Sequence, residues 1–177
     1  VAGQIARGMV LVPEDRQRDG LVQTMSIAGN LRLTSIPRFT RHGVIDEKNC
    51  RARIDQTVED MQIKVADVNH LITALSGGNQ QKVVIGKCVM ADADIFMMDE
   101  PSRGIDVGAK TDIFKLMRRF AAKGMGVIFV GSELKEIMSV CDRVLVMSSG
   151  KLTADLSGDE IQEAELVRAS AAALHTA

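Results

Sequence analysis

Apolar residues along the chain fall into two kinds of run: short unbroken ones, and longer stretches spaced as on one face of a helix. "MVLV", Met9–Val12, is an unbroken run closed by Pro13 and the charged stretch "EDRQRDG", which predicts a buried strand leading into a surface turn. Residues 24–75 read mainly as helix. In "DEKNCRARIDQTVEDMQI", Asp46 is placed to cap, and Ile54, Val58 and Met61 follow at i, i+4 and i+7. After an "SGG" turn a helix is predicted over residues 79–90. Residues 95–98 then form a continuous apolar run ended by Asp99, Glu100 and Pro101, the pattern of a parallel strand buried on both faces. Asp106 is placed to cap a helix whose Ile113, Leu116, Met117 and Phe120 share a stripe, with Gly124 just past its end. "GVIFVG" repeats the buried-strand pattern, and Leu134, Ile137, Met138 and Cys141 mark one more helix. "RVLVM" and "SSGKLTADL" read as two strands joined by a turn at Ser149 and Gly150. The tail opens on a capping box, Ser157 and Glu160, and becomes alanine-rich, predicting a helix that frays. Strands alternating with helices imply an α/β fold with a mostly parallel sheet, beside a helical lobe in residues 24–75.

Composition narrows this picture in three ways. At 177 residues the chain can bury a real core, and a formal net charge of −1 argues against a polyanion as main partner, so no nucleic acid is expected. Three cysteines, Cys50, Cys88 and Cys141, are odd in number and widely spaced, which fits neither a disulfide framework nor a zinc site and points to a reducing compartment. No apolar run reaches the roughly 18 to 20 residues that span a bilayer. The chain opens on Val1 in mid-pattern, so more protein upstream is expected.

The chemistry concentrates in "LSGGNQQKVVIGKCVMADADIFMMDEPSRGID". A strand that delivers Asp99 and Glu100 to the carboxyl edge of a parallel sheet puts them where such sheets bind ligands. One carboxylate can serve Mg²⁺ and the other an attacking water; an isolated Asp-Glu pair would more often merely end a strand. The glycines of "SGG" let backbone N–H groups approach an anion, with the helix dipole and the Ser76 hydroxyl adding to the attraction. Each motif alone is common, whereas the ordered set is specific.

That ordered set resembles the ATP-binding subunits of ABC transporters. "LSGGNQQ" is similar to the family's signature motif, "IFMMDEP" to its Walker B strand with the following glutamate, and "SRGID" to its D-loop. "VPEDRQRDGL", the asparagine in "SGGNQQ" and "DEPSRGIDVGAK" further resemble the second nucleotide-binding half of tandem ATPases that drive monosaccharide importers. The resemblance implies a P-loop NTPase-type fold, with ATPase core in residues 1–23 and 89–156, helical lobe in 24–88 and a helical tail in 157–177. It implies ATP and Mg²⁺ as cofactors, with Asp99 on the metal and Glu100 polarising the attacking water. Ser76, Gly77, Gly78 and Gln80 would face the ATP of a partner half, and Asp106 would lie in the D-loop. Implied partners are an N-terminal nucleotide-binding half on the same chain, membrane permease subunits and, indirectly, a sugar-binding protein. The location would be peripheral, on the cytoplasmic face of the inner membrane.

Two positions depart from the family pattern, and one motif is missing. Ser132 stands where most members carry a switch histidine, with helix N-cap as its alternative role. Glu14 stands where a glutamine is usual, with solvated surface charge as its alternative. No GxxxxGK[ST] phosphate loop occurs: Gly86-Lys87 is followed by Cys88, and Gln81 replaces the leading glycine. The loop is therefore expected ahead of Val1, and the isolated chain is expected to be inactive and to expose apolar surface that favours self-association. His42, His70 and His175 are expected to be ordinary lobe or tail residues. A non-hydrolytic regulatory half remains the competing reading, and an ATPase acting on ribosomes or DNA is disfavoured by the near-neutral charge.

Overall fold

The computed structural model describes residues 2–5 and 7–171, so His175 and the end of the alanine-rich tail lie outside the described residues. Two compact units make up the chain, Val1–Val130 and Gly131–Ala177.

In the first unit, helix α1 (Ala2–Ile5) precedes strand β1 (Met9–Val12). The charged loop after β1 is more ordered than its composition implied. Asp15 accepts hydrogen bonds from the N–H groups of Gln17 and Arg18, 3.0 and 3.1 Å, and so caps a wide helical turn over Arg16–Gly20. The lobe follows with α2 (Ile27–Arg32), a hairpin of β2 (Thr40–Arg41) and β3 (Val44–Ile45), and α3 (Glu47–Asp60). Asp46 caps α3 as expected, accepting from Asn49 N–H at 3.0 Å. Ile54 and Met61 are buried on its inner face, Val58 is half-buried, and Thr57 takes an inward position. The hairpin was not anticipated in a region read as helical; its tight turn is His42-Gly43, both at positive φ. Asn30 is fully buried and anchors the lobe to the preceding loop by accepting from Val22 N–H (2.8 Å) and donating to the carbonyls of Val22 and Ser26.

Helix α4 (Gly77–Met90) starts two positions earlier than its apolar pattern indicated and runs through the middle of the unit. Val83, Val84 and Ile85 are fully buried, and a Cβ added at Gly86 would stand 3.0 Å from Leu31 and 3.1 Å from Thr57. Close packing of helices therefore explains Gly86. Lys87 donates to the Gly20 carbonyl, and burial pushes the Cys88 thiol up to about 11. This Gly-Lys-Cys string is interior helix, not a phosphate loop.

Strand β4 (Ile95–Asp99), helix α5 (Val107–Ala122) and strand β5 (Gly126–Val130) complete the unit. The three core strands form one parallel sheet in the order β1-β4-β5, with Leu11 beside Met97 and Met97 beside Ile128. One face is sealed: Val10, Val12, Phe96 and Met98 are at most 4% exposed, and Phe96 stacks on Phe120 of α5 at 4.9 Å. The stripe predicted for α5, Ile113, Leu116, Met117 and Phe120, is buried, and Gly124 follows the helix at φ +84°. The other face corrects the expectation of strands buried on both sides. Leu11, Ile128 and Val130 are 56%, 54% and 55% exposed.

The second unit contains α6 (Leu134–Val140), β6 (Arg143–Ser148), β7 (Lys151–Ser157) and α7 (Glu163–Ala171). β6 and β7 pair antiparallel through the predicted Ser149-Gly150 turn, where both residues have positive φ. "RVLVM" thus belongs to a separate two-stranded sheet and not to the parallel one. Val144, Val146, Leu166 and Ala169 form the unit's core, with Leu134, Ile137 and Cys141 packed on it, while Met138 faces outward. Glu160 accepts from Ser157 N–H at 3.1 Å, but this box closes a single 3-10 turn, and α7 begins only at Glu163.

Candidate nucleotide-binding and catalytic site

β4 ends where its apolar alternation does. By that alternation Asp99 shares the open face with Ile95 and Met97, and its register partner is Val130 on β5. Glu100 follows at φ +44°, a left-handed conformation that L residues other than asparagine and aspartate rarely take. Its N–H donates to the Val130 carbonyl at 2.9 Å, so the neighbouring strand holds this strained turn in place. His42 and Ser149 take the same conformation in hairpin turns, whereas Glu100 takes it at the carboxyl edge of a parallel sheet, where such sheets bind ligands. Among the described residues no three acidic, histidine or cysteine side chains gather into a metal-holding group. Mg²⁺ commonly takes one or two carboxylates and completes its shell from phosphates and water, a mode in which a single carboxylate such as that of Asp99 can serve.

The "SGG" turn forms the start of α4. Ser76 is the N-cap and is exposed, and its hydroxyl makes no capping bond but accepts from the Asn79 amide at 3.0 Å. The first N–H groups of α4 are therefore not consumed by that side chain, which leaves an anion-attracting helix end. The two glycines have distinct packing roles. A Cβ on Gly77 would stand 2.7 Å from Nη2 of Arg16, and one on Gly78 would stand 2.4 Å from the Ala109 Cβ. Gly78 lets α4 meet the start of α5, where Asp106 is the N-cap and accepts from Ala109 N–H at 3.0 Å. Asp106 Oδ2 is 3.7 Å from the same Gly78 position, so the turn and the D-loop-like aspartate are neighbours. Gln80, expected on the nucleotide face, is 6% exposed and its amide donates to the Leu75 carbonyl at 3.2 Å. One helical step past the turn, its side chain points inward and braces the turn from beneath.

Glu14 is exposed but not merely solvated: it forms an ion pair with Arg103 in the loop after Glu100. Ser132 belongs to the second unit and is exposed. It does not cap α6, because the helix begins one residue later than the capping role requires and Glu133 is the N-cap. His42 and His70 are exposed lobe residues. Two residues escaped sequence reasoning, Arg16 and Arg103, which join the loop after β1 to the loop after β4. In "EDRQRD" and "PSRGID" each is one arginine among charged neighbours, and only the fold brings them together.

The profile of the ABC transporter family matches residues 3–103. The chain belongs to the ABC transporter family. An L-arabinose transport ATP-binding protein of Geobacillus stearothermophilus is 40% identical over 95% of the chain, which spans 33% of that protein. A ribose import ATP-binding protein of Rhizobium johnstonii is 43% identical over 92% of the chain, with 32% of that protein covered. The chain thus spans about a third of the length of these ABC relatives. A solved ATP-binding cassette of an ABC transporter shares the fold, with a TM-score of 0.78 at 23% identity, covering 95% of this chain and 70% of that one.

Proposed function

We propose that the intact protein carrying this chain is the ATP-hydrolysing component of an ABC importer for a simple sugar. The observation that carries the reading is the strained Glu100 beside Asp99 at the edge of the parallel sheet, within the same unit as the glycine turn of α4. The names of the relatives, transporters of arabinose, xylose and ribose, supply the substrate class. In this reading Asp99 takes a place in the shell of Mg²⁺, which supplies charge neutralisation for the nucleotide's phosphates. Glu100 orients and polarises the attacking water, and Ser76, Gly77 and Gly78 present hydroxyl and backbone N–H groups to the terminal phosphate of the nucleotide bound by a partner half. Catalysis then rests on positioning more than on covalent chemistry.

ATP's own cradle is contributed by chain outside these residues, since no GxxxxGK[ST] string is present. An N-terminal nucleotide-binding half, permease subunits and a sugar-binding protein complete the machine, with this chain peripheral on the cytoplasmic face. The helical lobe and the Glu14 loop are the surfaces offered to the permease. No described helix is long and apolar enough to cross a membrane. Glu14, already engaged by Arg103, and Ser132 in the histidine position favour slower hydrolysis here than at the partner site. Uptake of labelled pentose by cells expressing the intact transporter tests the reading. Glu100→Gln should reduce uptake to near background while leaving subunit assembly intact; unchanged uptake removes Glu100 from the mechanism.

A further inference from the structure

The guanidinium of Arg16 occupies a junction of three segments. Nη1 donates to the Arg103 carbonyl at 2.9 Å and Nη2 to the Gly104 carbonyl at 3.1 Å, so one planar fork fixes two successive carbonyls of the loop between Glu100 and Asp106. Nη2 also lies where the Gly77 Cβ would be, 2.7 Å away, against the amino-terminal turn of α4. Glu14, two residues earlier, grips the same loop from its side chain by pairing with Arg103. Nε is buried and has no hydrogen-bond partner, a cost accepted to keep the fork in this orientation.

The electrostatics are as informative as the contacts. A cation beside the amino end of a helix opposes the helix dipole, a cost that the two carbonyl hydrogen bonds offset. The combined positive potential of Arg16 and the α4 terminus favours phosphate oxygens at Ser76, Gly77 and Gly78. A neutral amide donor could bind one of these carbonyls without that field.

We propose that Arg16 is a positioning residue for phosphoryl chemistry: it ties the loop that follows Glu100 to the amino-terminal turn of α4, so that the carboxylate and the phosphate-facing turn are set together. This rests on the ATPase reading above. Arg16 does not touch the reacting atoms; it acts through the carbonyls of Arg103 and Gly104 and through Gly77. Lysine at this position presents a single point charge and leaves one of the two carbonyls unheld.

Steady-state hydrolysis of MgATP by the full-length protein tests the inference, using Arg16→Ala, Arg16→Lys and Glu100→Gln, with Arg18→Ala as a charge control. Arg18 is largely solvated, 3.9 Å from Asp19, and its removal should leave turnover unchanged. Misplacing a loop by about 1 Å can cost up to about 100-fold, so Arg16→Ala should lower kcat roughly 10- to 100-fold. KM for MgATP should stay within about threefold, as expected when ground-state binding is kept. Arg16→Lys should recover only part of the loss, and methylguanidine added to Arg16→Ala should restore turnover further. Should the alanine variant fail to fold, the lysine variant, which keeps the stem and the charge, decides. Wild-type kcat in Arg16→Lys and Arg16→Ala alongside an inactive Glu100→Gln overturns the inference and spares the ATPase reading. A fall in kcat matched by loss of thermal stability in both variants also overturns it, since that reports a purely structural role. Wild-type turnover in Glu100→Gln overturns the ATPase reading itself, and the inference with it.

Discussion

The two faces of the parallel sheet are built from the same kind of residue and meet opposite fates. Phe96 and Met98 are sealed under α4 and α5, whereas Ile128 and Val130, equally apolar, are more than half exposed. Parallel strands are nearly always covered on both sides. The sealed face therefore carries much of the stability of the first unit, while the open face ends in Asp99. The lesson is that an apolar strand residue predicts burial only if an element exists to cover it.

The largest test of this contrast is Phe96→Ala. Removing a fully buried ring that stacks on Phe120 should cost about 3 to 5 kcal/mol, read from the shift in the urea unfolding midpoint. Next comes Gly78→Ala, where the new Cβ would meet the Ala109 Cβ at 2.4 Å. Forcing α4 and α5 apart should cost about 1 to 3 kcal/mol, measured by thermal unfolding, and a neutral result would show that the two helices give way there.

A smaller effect is expected from Asp112→Asn, which removes the partner of Lys82. Lys82 is buried and donates to Asp112 at 2.7 Å, while Asp112 itself is 41% exposed. Exposure of one partner brings the cost down to about 1 to 2 kcal/mol. That hydrogen bond holds the Asp112 carboxyl below the usual carboxylate range. Its contribution is therefore full above the ordinary aspartate value of about 4 and is lost as pH falls through the lower folded value. Asp112→Asn should flatten this part of the acid limb of the stability curve. Smallest of all, Ile128→Ser on the open face should change the stability of this chain by less than about 0.5 kcal/mol. It should also reduce self-association in light scattering, because it interrupts an exposed apolar surface.

Much of the fold was legible because local chemistry and tertiary fate agree. Asp46 and Asp106 cap the helices their spacing implied, the α5 stripe is buried, and Ser149-Gly150 makes the hairpin turn. The order of motifs from Leu75 to Asp106 likewise named the family before any geometry was available. What escaped the sequence depends on pairs distant along the chain. The His42-Gly43 hairpin hides in a helical region because its strands are two residues long. The inward turn of Gln80 follows from α4 starting at Gly77, while Ile128, apolar and in a strand, is nonetheless 54% exposed. Arg16 is 87 and 88 positions from the two carbonyls it binds, a separation that no local pattern reports. For the site, residue types were readable, while the strain at Glu100 and the clasp that supports its loop were not.

The central claim, that Glu100 acts on a nucleotide at the edge of this sheet, is tested most directly by single-turnover hydrolysis in the full-length protein carrying Glu100→Gln. The account predicts that the variant binds ATP with wild-type affinity and retains it unhydrolysed for many wild-type turnover times. Release of phosphate from this site at the wild-type rate would contradict it.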